Sequence, residues 1–169
     1  MTDRRQFLSI AAVGAGAAAL FGWRTSPAEA TEKFEYQLSD AAWRKKLSPT
    51  AYATLRREAT EYPGSSPLNK EHRNGVFDCA GCALPLFSSS TKFDSGTGWP
   101  SFWRPLANAV RTRTDSTLGF SRVEVHCRRC GGHLGHVFDD GPAPTGKRYC
   151  MNGVALTFRP IQGKAARPG

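Results

Sequence analysis

Two Cys-x-x-Cys units, Cys79-Ala-Gly-Cys82 and Cys127-Arg-Arg-Cys130, constrain this chain more than any other feature of its sequence. Each places two thiols across a tight turn, so that both sulfurs of a pair can approach one ion at about 2.3 Å, and two such turns complete a tetrahedron. Four thiolates favour zinc, with iron as an alternative on the same ligands. Two structural disulfides or a pair of redox dithiols are the competing readings. A single unit is a weak signal and a doubled one a strong signal, so the expectation is one Zn2+ held by Cys79, Cys82, Cys127 and Cys130. Such a set leaves no open coordination position, which makes the metal structural and moves any chemistry elsewhere.

The chain has five cysteines, an odd number, and Cys150 is the one left over. It sits in Lys147-Arg148-Tyr149-Cys150-Met151-Asn152. If that segment is extended, Arg148, Cys150 and Asn152 share a face. A cation beside a thiol favours the thiolate, and an amide offers a donor and an acceptor to a polar substrate group. The alternative is an inert cysteine buried in a strand. Gly131-Gly132-His133-Leu134-Gly135-His136 follows the second cysteine pair directly and supplies two imidazoles suited to proton transfer. They compete with readings as metal ligands or surface residues. Asp94-Ser95-Gly96-Thr97-Gly98-Trp99-Pro100-Ser101-Phe102 is a loop presenting an indole, either as packing or as the wall of a pocket.

The rest of the chain bounds the setting. At 169 residues, with 40% apolar and 11% aromatic, it is long enough for one core and hardly for two. Ser39 to Leu47 has a capping serine, an acidic first turn and Lys45-Lys46 near its end, and Ser48-Pro49 restarts the pattern. The second helix is expected to run from Pro49 to about Thr60, before Tyr62-Pro63-Gly64 stops it. Beyond that, helical periodicity vanishes. Asn74-Gly75 leads into Val76 to Cys79, Phe120 to Cys127 alternates, and Gly153 to Phe158 puts Val154, Leu156 and Phe158 on one face. The body is therefore mainly antiparallel β, and residues 162–169 read as a disordered tail.

The first thirty residues read as an address. Asp3-Arg4-Arg5-Gln6-Phe7-Leu8 precedes an apolar run from Ile10 to Phe21, short of the roughly 20 residues needed to span hydrocarbon, so no stable membrane anchor is expected. Ala28-Glu29-Ala30 predicts cleavage after Ala30, giving a signal segment of residues 1–30 and a domain of residues 31–169, its core at about 39–160. Arg4-Arg5 with Phe7-Leu8 resembles the twin-arginine export signal, although Asp3 and Ser9 depart from it; the general secretory route is the alternative. Export to a bacterial periplasm is the implied destination. The chain carries 23 basic and 14 acidic residues, a net charge of +9. No block of like charges marks a nucleic-acid surface, and solubility accounts for the excess.

Together the segments resemble the type B peptide methionine sulfoxide reductases from Ser39 to Pro160. The resemblance is carried by Asp94-Ser95-Gly-x-Gly-Trp-Pro-Ser-Phe102, the two cysteine turns, His133-Leu-Gly-His136-Val-Phe138, Asp140-Gly-Pro142 and Arg148-Tyr-Cys-x-Asn152. It implies two antiparallel β-sheets with short N-terminal helices; a monomer is expected. It implies that Cys150 attacks the sulfoxide sulfur while His136, helped by His133, protonates the oxygen; that Arg148 and Asp140 tune the site; that Asn152 positions groups in it; and that Trp99 holds the substrate methyl. The product thiol state is a sulfenic acid, and only the R epimer of methionine sulfoxide in oxidised proteins is accepted. One departure matters: Thr97 stands where many members carry a resolving cysteine. The implied partner is therefore an external thiol reductant, such as a thioredoxin-like protein. The rival classes are a zinc-ribbon nucleic-acid binder with Arg128-Arg129 on phosphates, and a redox-inert module; neither gives Cys150, the histidines and the Trp99 loop a shared role.

Overall fold

A computed structural model describes residues 32–161, all but the first of them in the unit that begins at Lys33. The export segment, its cleavage site and the tail at residues 162–169 lie outside the described residues. Among those described, no helix is long and apolar enough to cross a membrane.

Two short helices come first. Helix α1, Asp40–Lys46, starts where the Ser39 hydroxyl accepts the Ala42 N–H, with Asp40 in its first turn and Arg44, Lys45 and Lys46 in its last, the charge order that suits the helix dipole. Helix α2, Pro49–Arg57, repeats the device with Ser48 capping Ala51 and proline in the first turn. It ends three residues short of the sequence expectation because Glu58 turns left-handed (φ 58°), its N–H closing on the Thr54 carbonyl and the Ala59 N–H on that of Ala53. Thr60 is thereby freed from the helix.

The strands are β1 (Gly75–Cys79), β2 (Pro85–Ser88), β3 (Lys92–Phe93), β4 (Ser101–Phe102), β5 (Val110–Asp115), β6 (Arg122–Cys127), β7 (His133–Phe138), β8 (Arg148–Met151) and β9 (Leu156–Pro160). They form a three-stranded sheet, β2-β1-β9, and a six-stranded sheet, β3-β4-β8-β7-β6-β5, antiparallel throughout. The expected two-sheet fold with short N-terminal helices is what the chain adopts. At two places the strand reading ran long: β6 begins at Arg122 rather than Phe120, and Gly153–Ala155 is a 3-10 turn that precedes β9.

An aromatic seam joins the sheets. Phe87 of β2 stacks on Phe102 of β4 at 4.3 Å between ring centroids, and Phe77 of β1 meets Phe102 edge-on at 4.9 Å. All three rings are fully buried, each stabilising the fold by roughly 1.5–3 kcal/mol through apolar burial. Met151 of β8 is also fully buried, which fixes the strand that carries Cys150.

Candidate active site

The register of the six-stranded sheet builds the site. Cys150 on β8 stands opposite Ser101 on β4 and His136 on β7; His136 stands opposite Glu124 on β6, and Glu124 opposite Arg113 on β5. Directly paired residues project from the same face, so one ladder row carries a hydroxyl, a thiol, an imidazole, a carboxylate and a guanidinium side by side. Gly135 lets β7 and β8 approach here, since a Cβ on it would meet the Cys150 carbonyl oxygen at 2.1 Å.

Cys150 opens into a small pocket of about 130 Å3 with Trp99, His136, Phe138, Gly135, Arg122, Asn152 and Thr60. Trp99 and Phe138 make its wall apolar, and the Trp99 indole N–H is held by the Glu61 carbonyl at 3.2 Å. That combination suits an apolar group bearing one polar oxygen.

Of the remaining residues expected at the site, Asn152 lines the pocket, and Arg148, Asp140 and His133 lie outside its lining. Arg148 forks onto Asp140 with two bonds of 2.8 Å, and its guanidinium lies 4.4 Å from the centre of the Phe138 ring. The Asp140 carboxylate is the main reason Arg148 is raised above the ordinary arginine range, and the Cys150 sulfur adds to it. Asn152 is buried; its amide donates to the Leu134 carbonyl at 3.1 Å and accepts the Glu61 N–H at 3.0 Å, pinning the Glu61 loop to β7. His133 is buried beneath His136, ring centroids 5.4 Å apart, and does not itself line the pocket.

Three acidic residues unsignalled by sequence hold this arrangement. Asp115 at the end of β5 meets His136 Nε2 at 2.8 Å and Arg122 at 2.6 Å. Burial lowers His136 from the ordinary imidazole range, and Arg122 and His133 add to that; the Asp115 contact opposes the shift without reversing it. Glu61 accepts the backbone N–H groups of Gly153 and Val154 at 2.5 and 3.1 Å, locking the turn after β8. Glu124, 2% exposed, faces His133 Nδ1 at 2.7 Å and is paired on its other oxygen with Arg113, which also reaches Glu58 at 2.5 Å. A carboxylate there accepts the Nδ1 proton and fixes the tautomer of His133.

Burial by itself raises Glu124, but His133 and Arg113 outweigh it and the carboxyl lies below its ordinary value. A folded value below the unfolded one, about 4.3, means stabilisation present above that pH and lost as pH falls through the folded value. Thermal unfolding followed from pH 6 to pH 3 is expected to fall more steeply in the native chain than in Glu124→Gln. At neutral pH that variant is expected to cost about 1–3 kcal/mol. Parallel pH profiles would show that the ionised carboxylate contributes nothing.

Away from this pocket, the Sγ atoms of Cys79, Cys82, Cys127 and Cys130 all lie within 4.8 Å of one another and are buried. Cys79 and Cys130 are 3.7 Å apart and Cys82 and Cys127 3.5 Å, near the edge of about 3.8 Å that a tetrahedron with 2.3 Å arms requires and well beyond a disulfide. Hydrogen bonding among the sulfurs pushes Cys79 and Cys130 up from the ordinary thiol range and draws Cys82 and Cys127 down. Four thiolates cannot coexist there without a cation, so the donor set fits a divalent soft ion such as Zn2+. One turn extends the three-stranded sheet from β1, the other the six-stranded sheet from β6, closed by Ala83 N–H to Cys79 O and Gly131 N–H to Cys127 O.

The SelR domain model matches residues 47–160, which include both the cysteine cluster and the Cys150 row. The chain belongs to the MsrB family. A peptide methionine sulfoxide reductase MsrB of Thiobacillus denitrificans is 56% identical over 123 residues, covering 72% of this chain and 93% of the relative. That of Methanosarcina barkeri is 52% identical over 122 residues, 72% and 86% of the two chains. The chloroplastic peptide methionine sulfoxide reductase B1 of Arabidopsis thaliana is 48% identical over 133 residues, 78% of this chain and 66% of the relative. As an MsrB member the chain is an oxidoreductase, and its two-sheet fold and four-cysteine cluster agree with that membership.

Proposed function

We propose that this chain reduces methionine (R)-sulfoxide residues in oxidised proteins through Cys150 and returns to its starting state with an external thiol. The row that sets Cys150 between Ser101 and His136, facing an apolar pocket walled by Trp99, carries the reading. The Cys150 sulfur attacks the sulfoxide sulfur, His136 delivers a proton to the oxygen, and the S–O bond breaks. The sulfoxide oxygen leaves as water, a water then attacks the Cys150 sulfur of the S–S adduct, and the S–S bond breaks with its electron pair on the methionine sulfur; the products are methionine and a Cys150 sulfenic acid, the thiol having been oxidised by two electrons. Asp115 supports the charged form of His136 for this step, Glu124 orients His133 beneath it, and the Arg148–Asp140 pair holds a cation near the sulfur.

Thr97 Oγ1 is 3.8 Å from Cys150 Sγ, in the place from which a second thiol would attack. A hydroxyl cannot form a disulfide, and the other four cysteines are gathered in the buried cluster. Two external thiols, a thioredoxin-like dithiol being the natural donor, then reduce the sulfenic acid to thiol and water. The metal cluster supplies structure: held by Cys79, Cys82, Cys127 and Cys130, one Zn2+ would tie the two sheets together. The site is complete within one chain, which supports a monomer as the working unit. The twin-arginine-like segment at residues 1–30 supports export to the periplasm, a route that loads metal before the thiols meet an oxidising compartment.

Turnover on separated R and S sulfoxides with several thiol donors tests the reaction, and turnover confined to the R form is expected. Mass spectrometry after one equivalent of substrate, without reductant, is expected to find one added oxygen on Cys150, trappable by dimedone. An intramolecular disulfide at that stage would sink the external-thiol route.

A further inference from the structure

The catalytic pocket, at about 130 Å3, has room for little more than a side chain. A second, larger cleft of about 540 Å3 also has Trp99 in its lining, with Gly64, Asn69, Lys70, Lys92 and Asp94. Its walls are pinned to one another. Gly98 packs so closely that a Cβ would meet Pro63 at 2.8 Å, its φ of 91° suits glycine, and its carbonyl accepts both the Gly64 N–H at 2.7 Å and the Asn69 amide at 2.8 Å. Lys92 Nζ donates to the Asn69 carbonyl at 2.8 Å. A cleft with fixed walls loses little entropy on taking a ligand.

Its charge is uneven. Lys70, Lys92 and His72 line it against one carboxylate, Asp94, whose Oδ1 already accepts the Gly96 N–H at 2.9 Å. The neighbouring Glu71 is spent on Arg73, at 2.6 Å. Lys92 is half-buried, and loss of water lowers it from the ordinary lysine range although Asp94 and Glu71 oppose the shift. An anion arriving in the cleft would replace water around both ammonium groups.

We propose that this cleft receives the stretch of substrate polypeptide next to the methionine sulfoxide and favours an aspartate or glutamate there. The inference rests on the activity proposed above. It follows from continuity and charge: the two pockets share Trp99, and the second is lined by two lysines and a histidine against a single carboxylate.

The test uses short peptides carrying methionine (R)-sulfoxide flanked by Glu, Gln or Lys, with dithiothreitol as reductant so that no protein donor competes for the surface. Expected is a kcat/KM about 5- to 20-fold higher for Glu than for Lys peptides, expressed in KM and shrinking toward one near 1 M salt. Lys70→Glu, an exposed position, is expected to remove or invert the ranking, whereas Lys45→Glu, the same charge change on α1, is expected to keep it. Equal KM values in the native chain overturn the inference, as does a ranking that survives Lys70→Glu or one lost equally in Lys45→Glu. The blocked single residue N-acetylmethionine (R)-sulfoxide amide separates the two ideas. If the native chain fails to reduce it, the activity itself is wrong; if it is reduced while peptides show no ranking, only the cleft's role falls.

Discussion

Cys150→Ser is expected to lower turnover of methionine (R)-sulfoxide by on the order of 10^4-fold or more while the chain still binds its metal and unfolds within a few degrees of the native temperature. The loss is large because, in the proposed reaction, the attacking atom ends the step carrying oxygen. A serine hydroxyl is a poor nucleophile toward sulfur and has no oxidation state equivalent to a sulfenic acid, so neither half of the cycle can run. The fold is spared because Cys150 is only partly buried, while the neighbours that fix β8, Met151 and Asn152, are untouched. Residual activity above a hundredth of native would mean that another group carries the chemistry. No other thiol among the described residues is placed to do so, since Cys79, Cys82, Cys127 and Cys130 face one another. The same variant fails to form the dimedone adduct, which ties the kinetic loss to the sulfenic acid rather than to binding.

The parts of this molecule that sequence disclosed are those set by local rules. Ser39 and Ser48 cap the helices because a side-chain oxygen two or three residues from a free N–H is a local event, and the cysteine turns are local too. The end of α2 was misjudged because nothing in Arg57-Glu58-Ala59 announces a left-handed residue, a conformation usually reserved for glycine. Cys150 and its histidines were legible as residue types, and the family resemblance supplied their roles. What composition and spacing could not show was the row itself. Ser101, Cys150, His136, Glu124 and Arg113 come from five strands, and only the register, with its bulge between Val125 and His126, brings them abreast.

Glu124 shows why such a residue escapes notice. In Val123-Glu124-Val125 a charged residue between two valines reads as facing water, yet Val123 is exposed at 43% and Glu124 is buried. Its burial is stable because His133 and Arg113 donate to the two carboxylate oxygens, and neither lies near Glu124 in sequence. Asp115 was hidden for the same reason, its histidine being 21 residues away. A polar residue at an inward strand position is recognisable only once its partners are placed around it.

Removal of the proposed metal is the other change expected to be severe, and the topology says why. The turn Cys79 to Cys82 prolongs β1 of the three-stranded sheet, while Cys127 to Cys130 prolongs β6 of the six-stranded one, so an ion shared by the four cysteines would clamp sheets that also meet through the Phe77, Phe87 and Phe102 seam. Structural zinc contributes on the order of 10 kcal/mol, as much as the whole stability of a domain this size. Cys127→Ser, or chelation of the native chain, is therefore expected to lower the unfolding temperature by at least about 15 °C. Activity should fall with it, because Cys130 is followed at once by the Gly131-Gly132 turn that launches His133 and β7. Thiol titration distinguishes a metal site from disulfides in the same sample. The purified chain is expected to contain one zinc and to expose only Cys150 to a thiol reagent, with all five cysteines reacting after chelation and unfolding. A metal-free chain that keeps its unfolding temperature would defeat the clamp, and failure of four thiols to appear on unfolding without reductant would replace the ion with disulfides.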